Sequence, residues 1–152
     1  MTHRYPLVDI TDVSSAETHG GVDADVRIAI GGHNGSSTVA VHWTAPPGGG
    51  YPLHTNRECE EIVYYLSGNG DIGETTVREG HCRLFPKDSA RSFKNTSETE
   101  NTAAVSFLIE AADLELMGYE FLDAETAESD EGLLIHVDDV KPENMEKGDG
   151  WL

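Results

Sequence analysis

The chain has 152 residues, with 28 acidic against 10 basic side chains and a formal net charge of −18. This charge excludes nucleic acid and anionic membranes as partners, because both are bound through clustered Lys and Arg. The length predicts a single domain, residues 1–152, and two cysteines do not make a disulfide framework. The acidity fits a protein from a halophile or an ordinary acidic protein, and both interpretations stay open.

The beginning of the chain, MTHRYPLVDITDVSS, lacks the apolar stretch of a signal peptide. No apolar run elsewhere approaches the ~18 residues that a membrane span needs. We therefore expect a cytoplasmic protein with reduced thiols.

Short apolar runs rich in Val, Ile, Tyr and Phe follow one another up to residue 110, as β-strands prefer. The predicted strands cover residues 26–30, 37–43, 60–66, 82–85, 90–94 and 102–109. Gly, Pro and Asn separate them, which is typical of turns. The pattern predicts an all-β fold with a core at about residues 24–110. Residues 111–152 form an acidic C-terminal extension, in which we expect a short helix within 124–131 and a late strand at 133–139.

Polar side chains recur at alternate positions in three segments, the spacing that puts residues on one face of a strand. The three sets are His54 with Asn56; Glu61 with Val63 and Tyr65; and Arg91 with Phe93 and Asn95. If these faces meet inside a barrel, they enclose a few polar groups between apolar walls. Such an arrangement is typical of a small-molecule site.

The spacing of these residues resembles the two motifs of the cupin superfamily of small β-barrels. The first motif, G-x5-H-x-H-x3/4-E-x6-G, is matched in position by Gly48, His54, Asn56, Glu61 and Gly68. The second, G-x5-P-x-G-x2-H-x3-N, is matched in position by Gly80, Pro86, Asp88, Arg91 and Asn95. The resemblance implies a cupin barrel (a double-stranded β-helix, similar to a jelly roll) and, by analogy, a homodimer.

Metal-binding cupins hold a divalent ion with three histidines and the motif glutamate, and this chain departs from that set. Asn56 and Arg91 replace two of the histidines. A guanidinium cannot ligate a metal, because it stays protonated and has no acceptor atom. At ~4 Å it also repels a cation by several kcal/mol at an effective dielectric constant of ~20. We therefore favour no metal or other cofactor. The alternative is a metallocupin with unusual ligands, namely His54 and Glu61 with His42 or His81.

The first functional hypothesis is an isomerase, cyclase, dehydratase or lyase that acts on a small carboxylated or otherwise anionic metabolite. In this hypothesis Glu61 is the base, His54 donates a proton or holds an oxyanion, and Tyr65 is a second proton donor. Arg91 clamps the anion of the substrate. The further substrate-binding residues are Asn56, Phe93 and Asn95.

Two other interpretations stay open. Arg91 and Glu61 form a purely structural ion pair in the first, which is compatible with a cavity that binds a ligand. In the second, the protein is a ligand-binding or sensing module without catalysis. Fold resemblance does not decide between an enzyme and such a module.

Overall fold

Two antiparallel β-sheets face each other in the computed structural model, which describes residues 6–111 and 113–122 and the backbone of residues 133–136. The strands are β1 (Asp25–Ile30), β2 (Val39–Ala45), β3 (Gly50–Asn56), β4 (Glu60–Ser67), β5 (Asn69–Ile72), β6 (Thr75–Arg78), β7 (His81–Phe85), β8 (Ala90–Lys94), β9 (Thr102–Ile109), β10 (Tyr119–Phe121) and β11 (Leu133–His136). One sheet has the order β1-β2-β9-β4-β7-β11, and the other has the order β10-β3-β8-β5-β6. Short 3-10 turns cover Ile10–Asp12, Gly32–Asn34 and Leu114–Met117.

The six strands predicted before residue 110 are confirmed, with ends that differ by up to two residues. The late strand predicted at 133–139 is confirmed over residues 133–136 as β11, and its remainder lies outside the described residues, as does the helix expected at 124–131. Strand β3 was predicted only through the alternation of His54 and Asn56, without bounds. Strands β5, β6 and β10 were not predicted, because they are short and rich in Gly, Thr or acidic residues. That the whole chain forms a single domain stays a prediction.

Burial along the strands follows the two-residue period of a pleated sheet. On β2 the buried Val41 and Trp43 point between the sheets, while His42 lies half-buried on the opposite face. The same alternation puts Val63 and Tyr65 of β4 inside. The core therefore lies between the two sheets, where the polar faces predicted from the sequence also point.

Tight turns at the motif glycines hold the strands in register. Gly68 has φ 77°, and a Cβ there would lie 2.5 Å from the carbonyl oxygen of Asn101. Asp88 stands where the second cupin motif has a glycine, and it also adopts a positive φ, 62°. Aspartate tolerates this left-handed region better than most side chains. The departure from glycine at position 88 therefore leaves the turn between β7 and β8 intact.

The C-terminal extension adds strands to the core instead of standing apart from it. β10 pairs with β3, so that Tyr119 lies opposite Asn56 and Phe121 opposite His54. β11 pairs with β7 at the edge of the six-stranded sheet. No helix in the described part of the chain is long and apolar enough to cross a membrane.

Candidate active site

A cavity of about 80 Å3 opens between the two sheets. A water molecule needs roughly 10–15 Å3 of such space, so the cavity has room for several waters or a small organic ligand. Strands β3, β4 and β8 bring six of the seven predicted site residues to its wall: His54, Asn56, Glu61, Tyr65, Arg91 and Phe93. The rest of the wall is mainly apolar, which is typical of a small-molecule pocket.

Glu61 and Arg91 form an ion pair at the wall of this cavity. The Nη1 of Arg91 donates to Oε1 of Glu61 at 2.9 Å, and the two side chains are 3% and 14% exposed. β8 pairs with β3 so that Arg91 lies directly opposite His54. The Glu61–Arg91 ion pair occupies two of the four positions at which metal-binding cupins carry ligands.

The turn between β7 and β8 holds the other side of the Arg91 guanidinium. Nη2 donates to the carbonyl oxygens of Pro86 (3.1 Å) and Ser89 (3.2 Å) and to the Ser89 hydroxyl (3.3 Å), and Nε donates to the Ser89 carbonyl (3.3 Å). The guanidinium also lies over the ring of Phe85, 4.6 Å from its centroid. Most of its hydrogen-bonding capacity is thus directed at the protein.

Asn56 completes the surroundings of Glu61 from β3. Its Nδ2 donates to Oε1 of Glu61 at 3.3 Å, which fixes the orientation of the amide because a carboxylate only accepts. The opposite atom, Oδ1, is buried and has no hydrogen-bond partner within the described residues. Native structures rarely leave such an acceptor unpaired.

His54 is neutral, and its tautomer is fixed. Its Nδ1 lies 2.8 Å from the carbonyl oxygen of Pro52, which can only accept, so Nδ1 carries the proton. Burial lowers the pKa of His54 from 6.5 to about 4, against smaller opposing effects of the Pro52 hydrogen bond and the Glu61 charge. Nε2 therefore carries a lone pair at neutral pH. In this tautomer Nε2 can accept a hydrogen bond, whereas the sequence interpretation gave His54 a donor role, and its role in a reaction stays a prediction.

Aromatic rings form the walls around these polar groups. Trp43 contacts Tyr51, Tyr65 and Phe93 edge-on, with ring centroids 5.3, 6.1 and 5.1 Å apart. Phe93 also stacks on Tyr65 at 5.8 Å. Aromatic pairs in these arrangements are rigid and favourable, so this side of the cavity presents fixed flat surfaces.

Sequence reasoning missed several residues of the cavity wall, among them Tyr119 and His19. The ring of Tyr119 stacks between those of His54 (4.4 Å) and His19 (4.0 Å). Burial, and to a lesser extent the charge of Glu61, raises the pKa of Tyr119 to about 12, so its hydroxyl stays protonated. That hydroxyl is buried without a hydrogen-bond partner in the described structure. The exposed His19 marks the mouth of the cavity.

Three residues named from the sequence do not line the cavity. Asn95 instead donates to the carbonyl oxygens of Ala45 (3.1 Å) and Glu100 (2.7 Å), which holds the loop after β8. His42 lies on the outer face of β2. His81 accepts from a backbone N–H at the turn before β7. The structure therefore does not bring either substitute histidine to the cavity that His54 and Glu61 line.

The side chains at the ligand positions do not fit a metal ion of the kind that metallocupins hold. The Glu61 carboxylate is already paired with a fixed positive charge, and the Arg91 guanidinium has no lone pair to offer. Asn56 directs the donor end of its amide toward the same carboxylate. Within the described ranges, no group of three or more His, Cys, Asp or Glu side chains has an arrangement that could hold a metal.

The two facing sheets, with the cavity between them, define a cupin-type double-stranded β-helix. The polyketide cyclase RemF from Streptomyces resistomycificus is similar in structure, with a TM-score of 0.60 and 21% identity over 71% of this chain and 79% of that protein. A predicted oxalate decarboxylase from Thermotoga maritima has a TM-score of 0.59 and 18% identity, over 69% of this chain and 99% of that one.

A double-stranded β-helix protein from Klebsiella pneumoniae is a third example, with a TM-score of 0.58 and 14% identity over 77% of this chain and 96% of that one. At these identities the likeness establishes the fold alone. No family model and no curated protein sequence matches the chain.

Proposed function

We propose that the protein is a small-molecule enzyme that moves protons in this cavity without a metal ion, as an isomerase, cyclase, dehydratase or lyase. One observation carries the proposal. A half-buried carboxylate, paired with a buried and fixed guanidinium, lines the same cavity of a cupin-type fold as a neutral histidine. Groups of this kind perform general acid–base catalysis when a substrate atom lies within hydrogen-bond reach.

His54 and Glu61 are the proposed proton acceptors. The Pro52 carbonyl holds the His54 ring so that Nε2 keeps its lone pair. Arg91 and Asn56 both donate to Oε1 of Glu61, and they keep that carboxylate in place when protons move. His54 lies on β3 and Glu61 on β4, so the two acceptors face the cavity from different sheets. Two separate acceptors suit a reaction in which a proton leaves one atom of the substrate and returns to another.

The proposed proton donors are the tyrosines. Tyr119 stays protonated at neutral pH and is stacked against His54, which places a proton donor beside a proton acceptor. Tyr65 is buried in the same wall, and we propose it as the second donor, which is the role that the sequence interpretation gave it. A cyclase among the proteins of similar fold supports this class of reaction.

The alternative is a cupin that binds or senses a ligand without converting it. The several hydrogen bonds that anchor Arg91 favour it, because they are also what a purely structural ion pair would show. In that case the cavity binds a ligand, and changes to Glu61 or His54 alter affinity but no reaction.

Solvent deuterium distinguishes the two functions without a known substrate. Purified protein is incubated in D2O with a metabolite extract, and mass spectrometry finds compounds that gain deuterium at carbon or change retention time. The proposal predicts that such compounds appear with the wild type and are lost with His54→Gln and Glu61→Gln. Asn95→Ser is the matched control, since Asn95 is buried and polar but lies outside the cavity. Deuterium gain that survives in both site variants would contradict the proposal.

A further inference from the structure

The polar atoms of the cavity indicate which class of ligand it binds. This inference rests on the proposed function, which is located in the same cavity. We propose that the ligand is an uncharged, flat molecule that donates a hydrogen bond from a hydroxyl group, as a phenol or enol does, and not the anion expected from the presence of Arg91. Three features of the site carry this inference.

The first feature is that the positive charge of Arg91 is already matched. Its Nη1 lies 2.9 Å from the Glu61 carboxylate, and its Nη2 and Nε donate to oxygens of Pro86 and Ser89. An anionic ligand at this guanidinium competes with Glu61 for the same positive charge, and the Glu61 carboxylate beside it carries the same sign of charge as the ligand. The net charge of −18 on the chain opposes an anion as well.

The second feature is an excess of acceptors. Asn56 leaves its Oδ1 buried and unpaired in the described structure, because its Nδ2 is directed to Glu61. His54 offers the lone pair of Nε2, because its Nδ1–H is directed to Pro52. A ligand hydroxyl satisfies such acceptors, whereas a carboxylate on the ligand has no proton to give them.

The third feature is the shape and polarity of the walls. Trp43, Tyr65 and Phe93 form a rigid aromatic surface, and the stacked rings of His54 and Tyr119 form another. Flat apolar ligands gain from contact with such rings, while a charged group loses its hydration there. Tyr119 supplies a buried, unpaired hydroxyl that can bond to a second oxygen on the ligand.

Three para-substituted toluenes separate the alternatives at pH 7.5. 4-Methylphenol donates a hydrogen bond, 4-fluorotoluene has nearly the same shape but no hydroxyl, and 4-methylbenzoate is a somewhat larger anion. Ligand-observed NMR titration gives the three dissociation constants. We expect 4-methylphenol to bind about ten-fold more tightly than 4-fluorotoluene, the value of one well-placed hydrogen bond. We expect 4-methylbenzoate to bind more weakly than 4-methylphenol.

Asn56→Leu then tests the assigned acceptor, because leucine keeps the approximate shape and removes Oδ1. The ten-fold preference for 4-methylphenol should shrink to about three-fold or less in this variant. Tyr119→Phe, a milder change, should keep most of the preference, since Asn56 and His54 remain. Wild-type protein supplies the main comparison, so the test does not depend on either variant folding well.

The inference is overturned if 4-methylbenzoate binds as tightly as 4-methylphenol, if 4-fluorotoluene does so, or if none of the three binds. It is also overturned if Asn56→Leu folds and keeps the full preference. The two experiments test the ligand class and the proposed catalysis independently. A preference for the phenol without deuterium exchange in any metabolite contradicts the proposed catalysis alone, and exchange into a carboxylate metabolite contradicts the ligand class alone.

Discussion

His54 links the stability of the fold to pH, and His54→Gln is the change that isolates the effect. Burial lowers the pKa of the folded-state imidazole to about 4, against 6.5 in an unfolded chain. The folded state therefore favours the neutral ring. The contribution of the neutral His54 ring to stability is fully present above pH ~6.5. It is lost as the pH falls toward 4, because over this range the unfolded chain binds the proton and the folded protein does not.

The size of the effect follows from these two pKa values. At pH 5 the unfolded chain holds nearly one proton on this ring, while the folded protein holds about a tenth of one. Integrated from pH 7 to pH 5, the difference lowers the free energy of unfolding by about 2 kcal/mol. His54 is 5% exposed, so solvent screening reduces this value little.

Urea unfolding, followed by intrinsic fluorescence, measures this loss of unfolding free energy. Wild type and His54→Gln are each unfolded at pH 7 and at pH 5. Glutamine does not titrate, and its amide can donate to the Pro52 carbonyl in place of Nδ1. Other groups titrate equally in both proteins, so they cancel in the comparison. The wild type should lose about 2 kcal/mol more than the variant over this interval. Equal losses in the two proteins would refute the assignment of a neutral, buried His54.

The remaining predictions concern the ion pair, the loop after β8 and the oligomeric state. Glu61→Ala should lower the free energy of unfolding in urea by about 3–5 kcal/mol, because it leaves the Arg91 cation buried and unpaired. The double variant Glu61→Leu/Arg91→Leu should recover most of this loss, and a double variant as unstable as Glu61→Ala would contradict the pairing. Asn95→Ala should cost about 2 kcal/mol in the same assay and leave 4-methylphenol binding unchanged, whereas weaker binding would place Asn95 in the site. We also expect a homodimer. Leu66 and Phe107 lie partly exposed on neighbouring strands of the larger sheet and could pack against a second copy. Light scattering that shows a monomer at all concentrations would contradict this expectation.

Most strands of the barrel and six residues of the cavity wall could be predicted from the sequence, because they depend on local patterns. Strand period two placed Glu61 with Tyr65 and Arg91 with Phe93 on inward faces, and the cupin spacing aligned those faces. The same reasoning failed for Asn95, which has the right parity. β8 ends at Lys94, so the side chain of Asn95 no longer follows the alternation of the strand.

The parts that sequence reasoning missed depend on contacts between distant segments. Tyr119 reaches the cavity because β10 returns to pair with β3, more than sixty residues earlier in the chain. His19 reaches it from the segment before β1 by stacking on Tyr119. Neither residue sits in a periodic pattern or a motif. The tautomer of His54 could not be predicted either, since it depends on the carbonyl oxygen of Pro52 next to Nδ1.

The most direct test of the central claim is the rate of deuterium incorporation from D2O by metal-free protein. The protein is stripped with a chelator, checked by elemental analysis, and assayed with the compound found in the metabolite screen. Parallel samples receive iron, manganese, nickel or zinc. The Glu61–Arg91 pair at the ligand positions predicts an unchanged rate in every sample, and loss of the rate in Glu61→Gln. A rate that disappears on stripping and returns with one metal would contradict the account.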